Sequence, residues 1–154
     1  MKTLSMDILQ TYQINTSTQA IEPCFEGNAK ALVREEGGAQ YYVKQTPAAI
    51  ISHACLENGS SLKGRGDAVK HLTGFVRRKP IPIDEKRRIF AFPIHSQRSP
   101  DNVWLFYSHV RSAKTEGIII FRDQSTMTTE ASAYSIQQQL LRTSHCMSHF
   151  TDIG

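Results

Sequence analysis

Strand-forming and helix-forming stretches lie in blocks along this chain rather than in alternation, and that ordering restricts its fold more than any other feature. Strict alternation would call for a doubly wound parallel sheet, whereas blocks favour an α+β fold with an antiparallel sheet. The first block is all strand. Thr11 to Ile14, Gln19 to Glu22, Ala29 to Arg34 and Gln40 to Lys44 read as short strands, with Gly37-Gly38 as a hairpin turn between the last two. A helical block follows. Thr46-Pro47 reads as an N-cap and a proline at the first helical position, after which Ile50, Ile51, Ala54 and Cys55 recur at helical spacing as far as Gly59. Asp67 can cap a second, short helix with Ala68, Val69 and Leu72 facing inward, Lys70 and His71 outward, and Gly74 as its stop.

Pro80 and Pro82 each lack a backbone donor, so Lys79 to Asp84 is expected at a sheet edge or in a loop. Arg88 to Ile94, Val103 to Val110 and Gly117 to Phe121 are dense in residues that suit a pleated, buried surface, and Ser99-Pro100-Asp101-Asn102 is a turn between the first two. From Ser132 onward Ile136, Leu140, Met147 and Phe150 mark one helical face, with Ser135 and Gln138 in capping-box spacing. The expected architecture is α+β: an antiparallel sheet packed with a central helix pair and a C-terminal helix. At 154 residues, without repeat or linker, residues 1–154 are read as a single domain able to bury about two thirds of its unfolded surface.

Composition excludes several classes. The longest purely apolar run, Val103 to Tyr107, is far short of the roughly 20 residues of a membrane-spanning helix, so no membrane association is expected. Asp7 stands where a signal peptide would carry its apolar core, which points to the cytoplasm. Cys24, Cys55 and Cys146 are odd in number and lack C-x-x-C spacing, so they read as reduced thiols outside any disulfide or zinc framework.

Charge is unevenly spread. Between residues 63 and 98 ten basic residues (Lys63, Arg65, Lys70, Arg77, Arg78, Lys79, Lys86, Arg87, Arg88 and Arg98) face only Asp67, Asp84 and Glu85, while the flanking thirds are slightly acidic. Concentrated Lys and Arg attract polyanions because neutralised phosphates release their counterions, although a solvated cationic face is the equal alternative for a charge run by itself.

Enzyme motifs fare worse. Gly59 to Gly66 superficially matches a phosphate-binding loop, but Arg65 and Gly66 stand where Lys and Ser or Thr are required, so it reads as a glycine-rich turn between two helices. His145 and His149 share a helix face but lack the glutamate of a hydrolytic metal site, so no metal is assigned. His53 and Cys55 are too close in sequence to share a face, and no nucleophile, base and orienting group assemble into a hydrolase. Neither catalytic residues nor a cofactor is assigned. Trp104, Phe106 and Tyr107 read as core rather than as a base-stacking platform. A helix-turn-helix is rejected, because the expected connection is long and the second helix short.

Taken in order, a set of pieces resembles the competence transcription factor (ComK) family of low-GC Gram-positive bacteria. They are Cys55, Gly59-Ser60-Ser61 with Gly64-Arg65, Lys79-Pro80 with Asp84, Ile89-Phe90-x-Phe92-Pro93, Trp104 followed by His109-Val110, and Arg142-Thr143. The resemblance implies a regulator, nucleoid-associated, that binds paired A-tract and T-tract boxes of double-stranded DNA, largely through the minor groove, as a homodimer or a dimer pair. RNA polymerase and a proteolytic adaptor are further implied partners. A-tracts narrow the minor groove and deepen its negative potential, which draws in arginines. On that reading Arg65, Arg77, Arg78, Arg87 and Arg88 are candidates for groove or phosphate contact and Lys63, Lys70, Lys79 and Lys86 for phosphate contact, with Arg98 in the same basic run. Longer family members carry a basic, aromatic tail associated with activation and with the adaptor, whereas this sequence stops at Gly154. The alternative expectation is accordingly a tail-less protein-binding regulator that modulates a longer relative by mixed dimerisation.

Overall fold

The computed structural model describes residues 7–95 and 102–150. Seven strands form the larger sheet: β1 (Ile8–Leu9), β2 (Thr18–Pro23), β3 (Ala31–Glu35), β4 (Gln40–Val43), β5 (Ile81–Asp84), β6 (Ile89–Pro93) and β7 (Trp104–Phe106). Their spatial order is β1-β4-β3-β2-β7-β6-β5. A smaller antiparallel sheet contains β8 (Val110–Lys114), β9 (Ile118–Phe121) and β10 (Thr126–Thr128). The helices are α1 (Pro47–Glu57), α2 (Leu62–Thr73) and α3 (Ala133–Phe150). The fold is α+β as expected, with two additions: the separate small sheet, and a parallel pairing of β1 with β4 in a sheet otherwise antiparallel.

Period-two alternation gives the large sheet two buried faces. Ile89 and Ala91 of β6 join Trp104 and Phe106 of β7, Ile21, Val33, Val43 and the α1 residues Ile50, Ile51, Ala54 and Cys55 in one core. Phe92 and Leu105 turn the other way, into a second core with Ile119, Phe121 and Met127 of the small sheet and Ile136 of α3. Phe90, Phe92, Phe106 and Phe121 are fully buried, each stabilising the fold by about 2 kcal/mol through area removed from water. The aromatic run at 104–106 is core, as its apolar density implies.

Local signals account for the helix ends. Thr46 Oγ1 accepts from the Ala49 amide at 3.1 Å and Pro47 begins α1. Gly74, in the left-handed conformation at φ +83°, ends α2. The start of α2 differs from expectation. Its cap is Ser61, whose Oγ accepts from the Gly64 amide at 2.8 Å, so the helix begins five residues before Asp67 and only residues 58–61 connect it to α1. Both grounds for rejecting a helix-turn-helix, the long connection and the short second helix, therefore do not hold. Leu72, expected inward, is 41% exposed. At α3 the cap is Ser132 rather than Ser135, with its Oγ accepting from the Ser135 amide at 3.0 Å.

Thr11 to Ile14 is not a strand. Tyr12 and Ile14 are buried from irregular backbone, and the paired residues are Ile8 and Leu9. Val103 to Val110 is not one strand either. A 3-10 turn at Tyr107–His109 carries the chain from the large sheet to the small one, and the buried His109 bonds the Thr16 carbonyl at 2.7 Å through Nε2. The expected turn at Ser99 to Asp101 lies outside the described residues. Asp123 ties the sheets together, accepting from Gln19 Nε2 at 2.9 Å and the Gly37 amide at 3.1 Å.

Gly117 stands at φ +73°, and a Cβ there would lie 2.1 Å from the Thr129 carbonyl oxygen. Gly117→Ala should therefore destabilise by about 3 kcal/mol through strain and overlap together. Gly27→Ala, at φ +62° in open space, should cost only about 1 kcal/mol. Equal urea midpoints for the two variants would contradict this packing.

Candidate nucleic-acid interface

β5 occupies the edge that its prolines dictate, with Pro82 opposite Phe90 and no strand beyond. The edge is covered instead. α2 packs on β5 and reaches α3, and Val69, Phe90 and Cys146 form a third cluster where α2, β6 and α3 meet. Basic residues collect in three places around this edge: the outer face of α2, the corner Arg77-Arg78-Lys79 that leads into β5, and the four-residue turn 85–88 that leads out.

On α2, Lys63 Nζ pairs with Asp67 Oδ2 at 3.0 Å, four residues on. That hydrogen bond and charge, assisted by Lys79 and Lys70, hold the Asp67 carboxyl below its ordinary value. Lys63, Lys70 and Lys79 are therefore neighbours. The Lys79 side chain lies close over Gly66, where a Cβ would stand 3.3 Å from its Nζ.

Arg65 does not belong to the surface. It is 7% exposed. Its Nη2 donates to the Asn58 carbonyl at 2.8 Å and its Nη1 pairs with Glu85 Oε1 at 3.0 Å, joining the end of α1, α2 and the β5–β6 turn. The expectation of DNA contact by Arg65 is corrected on this ground: a neutralised, buried guanidinium cannot reach a phosphate.

In the turn, Arg87 pairs with Asp84 at 2.9 Å. Burial raises the Asp84 carboxyl, but hydrogen bonds from the Arg87 side chain and backbone outweigh it and leave it below its ordinary value. Lys86 and Arg88 are exposed, and Arg88 adopts φ +58°, an uncommon backbone for a non-glycine residue.

At the other end, Arg78 also sits in left-handed backbone, at φ +48°. Its Nη1 donates to the Ile94 carbonyl at 3.3 Å and to Ser135 Oγ at 2.9 Å. α3 grips the backbone of this corner. Gln139 Nε2 donates to the Arg78 carbonyl at 2.9 Å and the Pro93 carbonyl at 2.8 Å, and Arg142 donates to the Arg78 and Arg77 carbonyls at 3.1 and 2.6 Å. Arg142 also bonds Gln139 and lies 4.3 Å above the Phe75 ring. Charge density along the sequence misses Gln139 and Arg142. The available signal is their three-residue spacing, which puts both on one face of α3.

Of the ten candidate residues, Arg98 lies outside the described residues. Lys63, Arg65 and Arg87 are paired with carboxylates. Among the described residues, Lys70, Arg77, Arg78, Lys79, Lys86 and Arg88 have no carboxylate at ion-pair distance.

The thiols offer no nucleophile here. Cys55 and Cys146 are fully buried, and burial pushes the first up to about 11 and the second to about 12, so both are protonated at neutral pH. The His145 and His149 rings meet edge to face at 5.0 Å, and among the described residues no three His, Cys, Asp or Glu side chains converge as metal ligands. No helix among them is long and apolar enough to cross a membrane.

A family model described as "ComK protein" matches residues 9–153. A relative from Bacillus subtilis (strain 168), described as "Competence transcription factor", is 28% identical over 149 residues, covering 94% of this chain and 77% of the relative. No solved structure matches. The match spans nearly every element described above, and the chain belongs to the ComK family.

Arg65→Leu should cost about 2 kcal/mol, chiefly because it leaves the Asn58 carbonyl without its donor while the partly exposed Glu85 turns to water, and it should also expose Cys55 to thiol reagents. Urea unfolding and thiol labelling check this. Unchanged stability would remove Arg65 from its structural role.

Proposed function

We propose that this chain is a transcription regulator of competence genes that binds AT-rich double-stranded DNA through the unpaired cations around the β5 edge. Membership of the ComK family and the similarity to a competence transcription factor support the regulatory class. The observation that carries the DNA reading is local. Six basic side chains flank one short edge strand without carboxylate partners among the described residues, although two nearby arginines and a lysine are neutralised.

The chemistry fits the target. Lysines supply compact charge for phosphates, and arginines suit the narrow minor groove of A-tracts, where potential rather than base pattern discriminates. Lys70 and Lys79 on the α2 side and Lys86 in the turn serve as phosphate contacts in this reading, with Arg77, Arg78 and Arg88 for groove or phosphate. A dimer on paired tracts follows from the family resemblance and doubles the number of contacts.

With about five phosphates neutralised per protomer, log K against log salt should fall with a slope of roughly −4.5 for each protomer bound, and about twice that for a dimer on paired tracts. AT-rich duplex should bind more tightly than GC-rich duplex. The double variant Lys86→Gln with Arg88→Gln should weaken binding at least tenfold and reduce the steepness by about 1.8, while unfolding shifts by no more than about 0.5 kcal/mol. Salt-independent binding would remove the electrostatic mechanism. Loss of all duplex binding in the parent protein, with pairing to a longer relative retained, would favour the protein-binding regulator instead.

A further inference from the structure

Between the 76–78 corner, residues 94–95 and the first half of α3 lies an open cleft of about 1140 Å³. Arg77, Arg78, His95 and Arg142 line it, with Glu130 as the carboxylate on its wall. Among the described residues, three guanidinium groups thus face one carboxylate, and that carboxylate pairs with none of them. Such an arrangement leaves positive charge in a recess, where low-dielectric walls focus its field.

Two of these three cations are fixed in place. Arg142 is half-buried, spends its donors on the Arg77 and Arg78 carbonyls and on Gln139, and stacks on Phe75. Burial, and then the charge of Arg78, make it harder for Arg142 to remain protonated. A bound anion would relieve that repulsion. Arg78 is anchored to Ile94 and Ser135, whereas the Arg77 side chain is exposed and has no bonding partner among the described residues. Among the described residues its donor fork is thus unused, and the backbone that carries it is held by three side-chain bonds from α3, which lowers the cost of ordering the corner around a ligand.

We propose that this cleft is a seat for the phosphodiester backbone of DNA, in which Arg77 and Arg78 contact phosphate oxygens and Arg142 and Gln139 act as positioning residues that hold the corner. The inference rests on the DNA-binding reading above and assigns it a second contact region, separate from the 85–88 turn, with a residue, Arg142, from outside the basic third of the sequence. The cleft opens to solvent rather than enclosing a cavity, which suits a polymer lying across it. Planar guanidinium forks match phosphate oxygens in pairs, so Arg rather than Lys at this corner is consistent with backbone contact.

The test measures binding of the full chain to a labelled AT-rich duplex across a salt series, for the parent protein, Arg77→Ala and Arg111→Ala. Arg111 is an exposed arginine on β8 and serves as the control. Arg77→Ala should weaken binding and reduce the steepness of the salt dependence by about 0.9, the loss of one phosphate contact, with an unchanged melting temperature. Arg111→Ala should leave the slope unaltered. Arg142→Gln should also reduce the slope at temperatures well below its melting point, which a purely structural role would not produce. An unchanged slope in Arg77→Ala, with steep binding in the parent, would overturn the seat and leave the DNA reading standing. Absence of salt-dependent binding in the parent would overturn both. A titration with inorganic pyrophosphate separates the sources of phosphate: tight binding that duplex cannot displace would make the cleft a small-anion site and overturn the proposal.

Discussion

The placement of β5 at the sheet edge is the constraint from which the functional surface follows. Pro80 and Pro82 cannot donate to a further strand, so the sheet must stop there. An uncovered edge would invite pairing with other chains, and α2 answers that by packing over β5 on its way to α3. The segments entering and leaving an edge strand are necessarily near the surface. In this chain both segments are basic, so one backbone constraint sets out two cationic corners on either side of a helix that carries more lysine.

Two arginines, one buried and one half-buried, act in a different way. Arg65 joins α1, α2 and the turn after β5, while Arg142 joins α3 to the corner before it. Each long side chain spends its charge on internal acceptors, and each fixes a corner that carries cations without a carboxylate partner among the described residues: Lys86 and Arg88 in one, Arg77 and Arg78 in the other. The division into arginines that position and arginines that face outward cannot be seen from composition. It depends on Glu85 lying beneath α2 and on the Arg77 and Arg78 carbonyls turning toward α3.

Features fixed by near neighbours were legible in the sequence. Thr46-Pro47, Gly74, the Gly37-Gly38 hairpin and the proline-bounded edge strand all depend on backbone chemistry within a few residues, and all lie where that chemistry places them. Legibility ended where distant contacts override local preference. Gly64 and Gly66 look like helix breakers, yet α2 runs through both, with the Lys79 side chain from beyond the helix lying against the face where Gly66 carries no Cβ. Val103 to Val110 has uniform strand composition, and only the bond of His109 to Thr16, far away in sequence, marks the place where the chain changes sheets. In the candidate site, charge density found the corners, but burial and pairing, which decide that Arg65 is internal and Arg142 relevant, are tertiary facts.

The central claim is that DNA lies against the β5 edge and its two basic corners. Mapping backbone amide shifts of the full chain on addition of an AT-rich duplex tests it most directly. Perturbed residues should cluster at Lys70, Arg77 to Lys79 and Lys86 to Arg88, with the opposite edge of the sheet at Ile8, Leu9 and Tyr42 unmoved. Perturbations concentrated on that opposite edge, or on the outer face of the small sheet, would contradict it.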